Sequence, residues 1–290
     1  MNAVLKSDLE ILEDLLGKYK QPDLSEDHLR TILADLEYYL HQIDNAQNFV
    51  TLGGLECVMR DLNHTAQVIR SETALVLGSA VQGNPRVQVA AMEVGSMQQL
   101  VRMLSLEPSV SVRSHVLYAL SALVRHFPHA QQRFLELGGL HALKALFSQP
   151  DTTTLRLRAV TLINDMLMEQ RATLQHKVST DATQQEKIQQ YQEVRLLEAV
   201  RDQDWCHLVS SLLSLPEHDA REKVLHAMST LSTHCLSSFT GARTLLISLR
   251  MEYKKLAMKE AEEDDDTYFR DMVALVDIVM KDLIAVKTEL

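Results

Sequence analysis

The chain has 290 residues, of which 46% are apolar and only 5% aromatic, with 9 glycines and 6 prolines. So few turn residues exclude an all-β fold of this length, and the abundance of leucine and alanine favours helices. The formal charge of −10 argues against nucleic acid as a partner and favours a basic protein surface, and no apolar run approaches the roughly 18 residues of a membrane helix.

The first segment, residues 1–43, is predicted to be a helical N-terminal cap. Its apolar residues recur at helical spacing, at Leu29, Ile32, Leu33, Leu36 and Leu40. The opening stretch MNAVLKSDLE lacks the apolar core of a secretory signal, so we expect such a signal, if the protein carries one, to have been removed or trimmed.

Three glycines reveal an internal repeat. Gly53, Gly95 and Gly138 are separated by 42 and 43 residues, and each one ends a short amphipathic segment and begins another. A glycine between two helical segments is typical of a helix end in the left-handed conformation, where a side chain would clash. The spacing therefore predicts units of two short helices joined by a glycine.

A third, more apolar segment follows each of these glycines by about fifteen residues. A fourth copy without the glycine is seen where Arg113, Val116 and Leu117 recur 108 residues later as Arg221, Val224 and Leu225. Asn84-Pro85 is expected to place a capping side chain before the first turn of a helix, and Pro128 and Pro216 also separate segments. Three helices in every 42 or so residues is the armadillo period.

The predicted fold is an all-α, armadillo-like helical repeat solenoid with helical N- and C-terminal caps. About four repeats occupy residues 44–240, with a polar insertion near 179–190 that we interpret as a loop or an exposed helix extension. Residues 241–290 form the C-terminal helical cap, with an acidic loop at Glu262–Asp266 and an amphipathic helix over 268–286.

The motifs of common catalytic and cofactor sites are absent from the sequence. It contains no HExxH, P-loop, GxSxG or dinucleotide fingerprint, and the Gly-Gly pairs lack the Lys-Ser/Thr of a phosphate loop. The proline between His126 and His129 prevents one helical face from presenting both. We therefore predict a protein that is not an enzyme and needs no metal or cofactor.

The three cysteines, Cys57, Cys206 and Cys235, lie far apart and are interpreted as small buried apolar residues. A single Cys206–Cys235 bridge is the alternative in an oxidising compartment. Asn63-His64-Thr65 is a glycosylation sequon, and the last four residues, Lys287, Thr288, Glu289 and Leu290, resemble the Lys-Asp-Glu-Leu retention signal. Sequon and tail together predict the lumen of the endoplasmic reticulum.

Three stretches carry a family resemblance: LEYYLHQIDNAQNFVTLGGL, RHFPHAQQRFLELGGL and WCHLVSSLLSLPEHDAREKVL. They closely resemble the endoplasmic-reticulum nucleotide exchange factors of the chaperone BiP, relatives of the cytosolic heat-shock-binding exchange factors. The resemblance runs from about Leu36 to Leu290. It implies an armadillo-like protein, involved in protein folding and transport, that binds the ATPase domain of a DnaK/BiP-class chaperone and promotes the release of ADP.

The partner-binding face is expected on the concave side of the third helices. Positions one turn apart share a helix face, which selects His115, Tyr118 and Arg125 in the second repeat. The repeat shift extends the set of candidates to Thr73, Gln82, Asn84, Asp165, Glu169, Lys223 and His226.

The alternative is an armadillo scaffold that binds an extended basic peptide in the same groove. Peptide-binding armadillo proteins carry rows of asparagine along the third helix, whereas Ala122 and Asp165 hold those positions here. The sequence therefore favours exchange over peptide binding, and a chain that is a monomer on its own.

Overall fold

A computed structural model describes residues 6–175, 182–263 and 267–285, which are α-helical with three short 3₁₀ turns and no strand. The chain divides into two compact units. The first contains Met1–Thr152 with Gln189–Val194, and the second contains Thr153–Ile188 with Arg195–Leu290. None of the helices in the described ranges is long and apolar enough to cross a membrane.

Two helices, α1 (Asp8–Tyr19) and α2 (Glu26–Leu40), precede the repeats. Ser7 accepts a hydrogen bond from the Glu10 backbone N–H, and the Glu10 carboxylate accepts one from the Ser7 N–H, which forms a capping box. All five apolar residues predicted for α2, from Leu29 to Leu40, are buried, and α2 packs against α5 (Gln67–Val81). The helical spacing predicted from Leu29 to Leu40 is confirmed.

Four groups of three helices follow α2 along the chain. The first repeat consists of α3 (Ile43–Thr51), α4 (Gly54–Asp61) and α5. The second consists of α6 (Pro85–Glu93), α7 (Ser96–Leu106) and α8 (Val110–Val124). The third consists of α9 (Pro128–Glu136), α10 (Gly139–Ala145) and α11 (Thr153–Gln175). After α12 (Ala182–Glu193), the fourth has α13 (Leu196–Asp202), α14 (Trp205–Ser211) and α15 (His218–Leu231). The last helices are α16 (Leu236–Phe239), α17 (Arg243–Glu263) and α18 (Tyr268–Ala285).

The third helices form the centre of each unit. In the first unit α5 packs between α2 and α8, and in the second α11 packs against α15, which also contacts α18. The α5 helix is apolar on most sides because it packs between α2 and α8, and α8 is also largely apolar and packs against α5, α7 and α9. Their core is aliphatic, as in Val76, Leu77, Val116 and Leu120, all of which are buried.

The glycines between the first and second helices adopt the predicted left-handed conformation. Gly53, Gly95 and Gly138 have φ values of 76°, 80° and 76°. In the fourth repeat Asp204 takes the same position with φ 63°, which explains how this copy exists without its glycine, since aspartate is among the few other residues that tolerate this region.

The prolines separate helical segments, as predicted. Pro85 and Pro128 occupy the first turn of α6 and α9. Pro216 lies before α15, which begins at His218. The expected cap by Asn84 is wrong, because its side chain makes no capping bond and instead donates to the Ile43 carbonyl oxygen at 3.0 Å.

The polar insertion contains a helix. Residues 182–190 belong to α12 and are exposed or half-buried, and only Tyr191 in this helix is buried, as expected for an exposed helical extension. Residues 176–181 lie outside the described residues. So do residues 264–266, the last three of the predicted acidic loop, and the whole predicted retention tail, Lys287–Leu290. The first two residues of that loop, Glu262 and Glu263, belong to α17 instead.

Cys206 and Cys235 form a disulfide within the second unit. The interpretation of all three cysteines as free buried residues is therefore wrong for this pair, and the alternative of a single bridge is confirmed. Cys57 is a buried free thiol in α4. The bridge links the second helix of the fourth repeat to the segment that follows α15.

Candidate partner-binding face

Four of the six predicted residues of the first unit lie at the accessible edge of α5 and α8. His115, Tyr118 and Arg125 are half-buried on α8 or directly after it, and Gln82 is exposed directly after α5. Ser109 caps α8 by accepting a hydrogen bond from the Val112 backbone N–H. We call the exposed surface of α2, α5 and α8 the first-unit face.

Tyr118 is held in place by its neighbours on α5. Its hydroxyl donates to the Gln82 side-chain oxygen at 2.6 Å. Its ring lies against Gly78, where an added Cβ would overlap the ring atoms. Glycine at position 78 is therefore needed for the ring to lie flat between the two helices, which leaves the aromatic edge and hydroxyl on the surface.

A hollow of about 350 Å³ lies beside Tyr118 at the ends of α5 and α8. Gln88 forms its buried side, and the Gln88 amide donates to the carbonyl oxygens of Ala122, Leu123 and Arg125. These carbonyls are the unpaired acceptors at the end of α8, so Gln88 satisfies them. The hollow is lined by Gln82, Gly83, Pro85, Gln88, Tyr118, Ala122, Arg125 and His126.

His115 is fixed by α5. Its Nδ1 lies 3.0 Å from both the hydroxyl and the carbonyl oxygen of Ser71. Because a carbonyl oxygen can only accept, a proton on Nδ1 serves this contact and leaves Nε2 for other groups. Three of the six predicted residues of this unit, Gln82, His115 and Tyr118, are thus held by contacts between α5 and α8.

Thr73 and Asn84 are wrong as contact residues. Both are buried, with 0% and 1% of their surface exposed. For Thr73 the cause is a register error of one residue, since α5 and α8 begin 43 residues apart although Gly53 and Gly95 are 42 apart. The residues equivalent to His115 and Tyr118 are Glu72 and Leu75, which are half-buried.

The same register extends the first-unit face to α2, which the sequence prediction missed. Tyr38 is the α2 equivalent of Ala122 and is 72% exposed. His41 is the equivalent of Arg125 and is exposed, with Nε2 2.7 Å from the Glu37 carboxylate. Counting from the helix starts instead of from the glycines would have identified both residues.

In the second unit, the predicted residues lie on α11 and α15. Asp165 and Glu169 are half-buried on α11, and Lys223 and His226 are exposed on α15. Lys223 pairs with Asp219 at 3.1 Å, which lowers the pKa of that carboxyl, and His226 Nε2 lies 3.9 Å from Glu222. Met168, not Glu169, holds the position equivalent to Arg125.

Asn63 is exposed at the end of α4, where its side chain is already engaged. Its Oδ1 accepts from Gln99 at 2.7 Å and from Arg102 at 2.6 Å, and its Nδ2 donates to the Met59 carbonyl oxygen at 3.2 Å. Glycosylation of Asn63 stays a prediction, and its exposed position is compatible with a glycan.

The described ranges contain no group of three or more His, Cys, Asp or Glu side chains that could hold a metal ion. The surfaces of both units instead carry single polar and aromatic side chains, several of them fixed by neighbouring helices.

Comparison with solved structures defines the fold class. A designed armadillo repeat protein superimposes with a TM-score of 0.64 at 15% identity and covers 94% of this chain and 99% of its own. A second designed armadillo repeat protein, solved with the peptide (KR)4, gives a TM-score of 0.62 at 15% identity, with 94% of this chain and 99% of its own covered. The fold is therefore an all-α, armadillo-like repeat solenoid.

The sequence places the chain within a narrower group. Residues 45–284 match the family model of the SIL1/FES1/HPBP1 C-terminal domain, and the chain belongs to this family. Nucleotide exchange factor SIL1 of Rattus norvegicus is 41% identical over 287 residues, which are 98% of this chain and 62% of that protein. Hsp70 nucleotide exchange factor FES1 of Mycosarcoma maydis is 27% identical, over 63% of this chain and 46% of its own length. The chain thus spans about three fifths of the SIL1 proteins that it matches.

Proposed function

We propose that the chain is the chaperone-binding part of a nucleotide exchange factor that acts on an Hsp70-class chaperone. The observation that carries this proposal is the match of residues 45–284 to the SIL1/FES1/HPBP1 family, together with 41% identity to a relative named as a nucleotide exchange factor. The finer form of the proposal is that the partner is the ATPase domain of a BiP-class chaperone.

The mechanism requires binding and no reaction on this chain. Stacked helices with close-packed cores deform little, so a partner lobe held against them keeps one orientation. If the chain binds the open, nucleotide-free arrangement of the chaperone more tightly than the closed ADP-bound one, it lowers the affinity for ADP by the same factor. A coupling of about 3 kcal/mol corresponds to roughly a 150-fold effect.

The proposed contact residues are those that the helices leave accessible. In the first unit they are Gln82, His115, Tyr118 and Arg125, and in the second they are Asp165, Glu169, Lys223 and His226. Tyr118 is the strongest candidate, because a tyrosine fixed by packing and a hydrogen bond loses little entropy on binding.

The proposed compartment is the lumen of the endoplasmic reticulum. The Cys206–Cys235 bridge supports it, because disulfides persist in oxidising compartments. The Asn63 sequon and the Lys-Thr-Glu-Leu tail agree with it. Expression with an added secretory signal, followed by glycosidase digestion of the wild type and of Asn63→Gln, tests the sequon. An identical gel shift for both proteins would exclude modification at Asn63.

The release of fluorescent ADP from preloaded chaperone tests the function. Saturating chain is expected to accelerate release from BiP, and no acceleration would refute the proposal. The triple variant Tyr118→Ala/Arg125→Ala/Asp165→Ala is expected to raise the concentration needed for half-maximal acceleration at least tenfold. Arg133→Ala, an exposed arginine on the first helix of a repeat, serves as the matched control.

Binding of a basic peptide is the competing function for the same face. The designed armadillo protein solved with (KR)4 is 15% identical to this chain, and a similarity at this level shows a shared fold but not a shared ligand. Titration with a labelled (KR)4 peptide separates the two functions. Saturable peptide binding that is lost in the triple variant, without any effect of the chain on ADP release, would favour the peptide scaffold. We expect sedimentation to give a monomer for the chain alone.

A further inference from the structure

The outer side of α17 carries an exposed apolar stripe that none of the functions above uses. Ile247, Met251 and Met258 are 41%, 57% and 70% exposed. At 3.6 residues per turn these three side chains fall within about 40° of one another around the helix. The buried residues of the same helix, Leu246, Leu249 and Tyr253, lie on the opposite side and face the rest of the second unit.

An apolar outer side is unusual for a helix in this position. Single exposed apolar residues are normal on a protein surface. In repeat folds, however, the terminal helices generally have a polar outer side that keeps the protein soluble. Three aligned residues that span about 16 Å of helix depart from this rule.

Lysines border this stripe on both sides. Lys254 lies on one side of it, and Lys255 and Lys259 lie on the other, and all three are exposed. Within the parts of the chain that the structure describes, none of the three forms an ion pair, although Lys6 and Lys223 each pair with an aspartate. A cluster of three such lysines is notable in a chain of net charge −10.

The order of these residues is that of a helix-pairing seam. Ile247, Met251, Lys254 and Met258 follow one another at spacings of four, three and four, as the a and d positions of a heptad do. The methylene stem of Lys254 can lie along the apolar stripe while its ammonium group stays in water. Lys255 holds an e position beside the seam, where e and g residues select a partner by charge, and Lys259 lies further out on the same side at a b position.

We propose that this α17 stripe binds an acidic amphipathic helix of a partner protein. The apolar side of such a helix covers Ile247, Met251 and Met258, and its flanking Glu or Asp side chains meet the three lysines. Methionine suits this role because its flexible thioether adapts to partners of different shape. A basic helix of the same apolar pattern is repelled, which sets the charge of the partner.

Three synthetic 21-residue peptides test the proposal by fluorescence anisotropy with the full chain. The first has Leu at a and d with Glu at e and g, the second has Lys at e and g instead, and the third is a scrambled form of the first. The acidic amphipathic peptide is expected to bind saturably, and the other two at least tenfold more weakly. Peptide binding is measured without chaperone, so its outcome does not depend on the proposed exchange function.

Variants locate the peptide on α17. The variant Met251→Gln/Met258→Gln is expected to lower the affinity for the acidic peptide at least tenfold. The variant Lys254→Gln/Lys255→Gln/Lys259→Gln is expected to lower this affinity and to make it less dependent on salt concentration. The matched controls are Leu106→Gln, which alters a residue as exposed as Met258 in the first unit, and Lys18→Gln on α1. Both controls are expected to bind like the wild type, and circular dichroism checks that every variant is folded.

Four results would overturn the proposal. The scrambled peptide could bind as tightly as the ordered one, or the controls could lose binding as much as the stripe variants. Vesicles of phosphatidylcholine and phosphatidylserine could bind the wild type while the acidic peptide does not, which would assign the stripe to a lipid surface. A dimer seen by sedimentation and lost in Met251→Gln/Met258→Gln would assign it to a second copy of the chain.

Discussion

At the scale of single residues, the Gly-Gly pairs are a packing solution and not a phosphate loop. Gly138 supplies the left-handed turn, and Gly139 makes room for the ring of Phe134. The first repeat repeats this arrangement with Gly54 beneath Phe49. In the second repeat the equivalent pair is Ala91 and Ser96, both buried. Ala91 stands where the other two repeats have a phenylalanine ring, so the position of the second glycine has room for the side chain of Ser96.

The close contact between Gly139 and the Phe134 ring predicts the effect of Gly139→Ala. The added Cβ overlaps the Phe134 ring, so we expect a loss of about 1–3 kcal/mol of stability, as for overpacked cores. Gly17→Ala on α1 is the matched control, because nothing lies near its added Cβ and alanine favours a helix interior. Urea unfolding monitored by circular dichroism measures both variants.

The double variant Gly139→Ser/Phe134→Ala copies the second repeat and tests the cause of the loss. Phe134→Ala alone opens a cavity, whereas Gly139→Ser alone produces a clash. If steric overlap is the cause, the double variant loses less stability than the sum of the two single losses. Strict additivity of the two losses would contradict this explanation.

At the scale of elements, the sequence predicted the helices well and their register less well. Positive φ at the glycines and burial of the α2 leucines follow from local chemistry, so pattern alone identified them. The position of α5 relative to its glycine depends on one residue of connecting turn, which no pattern fixes. That residue placed buried Thr73 in the predicted contact set instead of half-buried Glu72, so the predicted set covered the first-unit face incompletely.

Each third helix carries an arginine at its fourth residue: Arg70, Arg113, Arg156 and Arg221. Arg70, Arg113 and Arg221 donate to carbonyl oxygens of the turn before their own helix, at His64, Pro108 and Leu215. Because these turn carbonyls lie outside the helices and take part in no helical hydrogen bond, the arginines supply donors for them. These arginines tie the second helix to the third, which keeps the third helices in place.

Arg70, the first of these arginines, is expected to be coupled to Glu107 in a way that depends on pH. Burial would raise the pKa of Glu107, but hydrogen bonds from Arg70, at 2.8 and 2.9 Å, and from the Ser109 backbone outweigh it and hold the pKa below its usual value. A depressed carboxyl pKa adds stability above the unfolded value of about 4.3, and this stability is lost as the pH falls through the folded pKa.

A double-mutant cycle with Arg70→Met and Glu107→Gln measures this coupling. We expect about 1–3 kcal/mol of coupling at pH 7, declining as the pH falls below about 4. The exposed Arg133–Glu136 pair is the control and should couple by no more than about 0.5 kcal/mol. A coupling for Arg70 and Glu107 that does not change between pH 7 and pH 3 would show that the carboxylate charge is not involved.

The Cys206–Cys235 bridge predicts a redox-dependent stability for the second unit. It joins cysteines 29 residues apart, for which the chain-entropy model gives about 3–4 kcal/mol. Adding a thiol reductant is therefore expected to lower the urea midpoint of the wild type. The double variant Cys206→Ala/Cys235→Ala should unfold at a low midpoint with or without reductant. An equal effect of reductant on both proteins would mean that the bridge is not responsible.

At the scale of the whole molecule, the proposed function makes a prediction that follows from thermodynamics alone. If the chain lowers the affinity of the chaperone for ADP by a given factor, ADP must lower the affinity of the chaperone for the chain by the same factor. The affinity of the chain for nucleotide-free and for ADP-loaded BiP is measured by calorimetry, and the affinity of BiP for ADP is measured with and without saturating chain. The two ratios are expected to agree, at up to about 150-fold for 3 kcal/mol of coupling. Tight binding of the chain with both ratios equal to one would identify it as a chaperone-binding protein that does not exchange nucleotide.

The variant Tyr118→Ala/Arg125→Ala then distinguishes two roles for the first-unit face. Loss of affinity for both chaperone states with an unchanged ratio means that these residues only hold the partner, whereas a smaller ratio means that they recognise its open state.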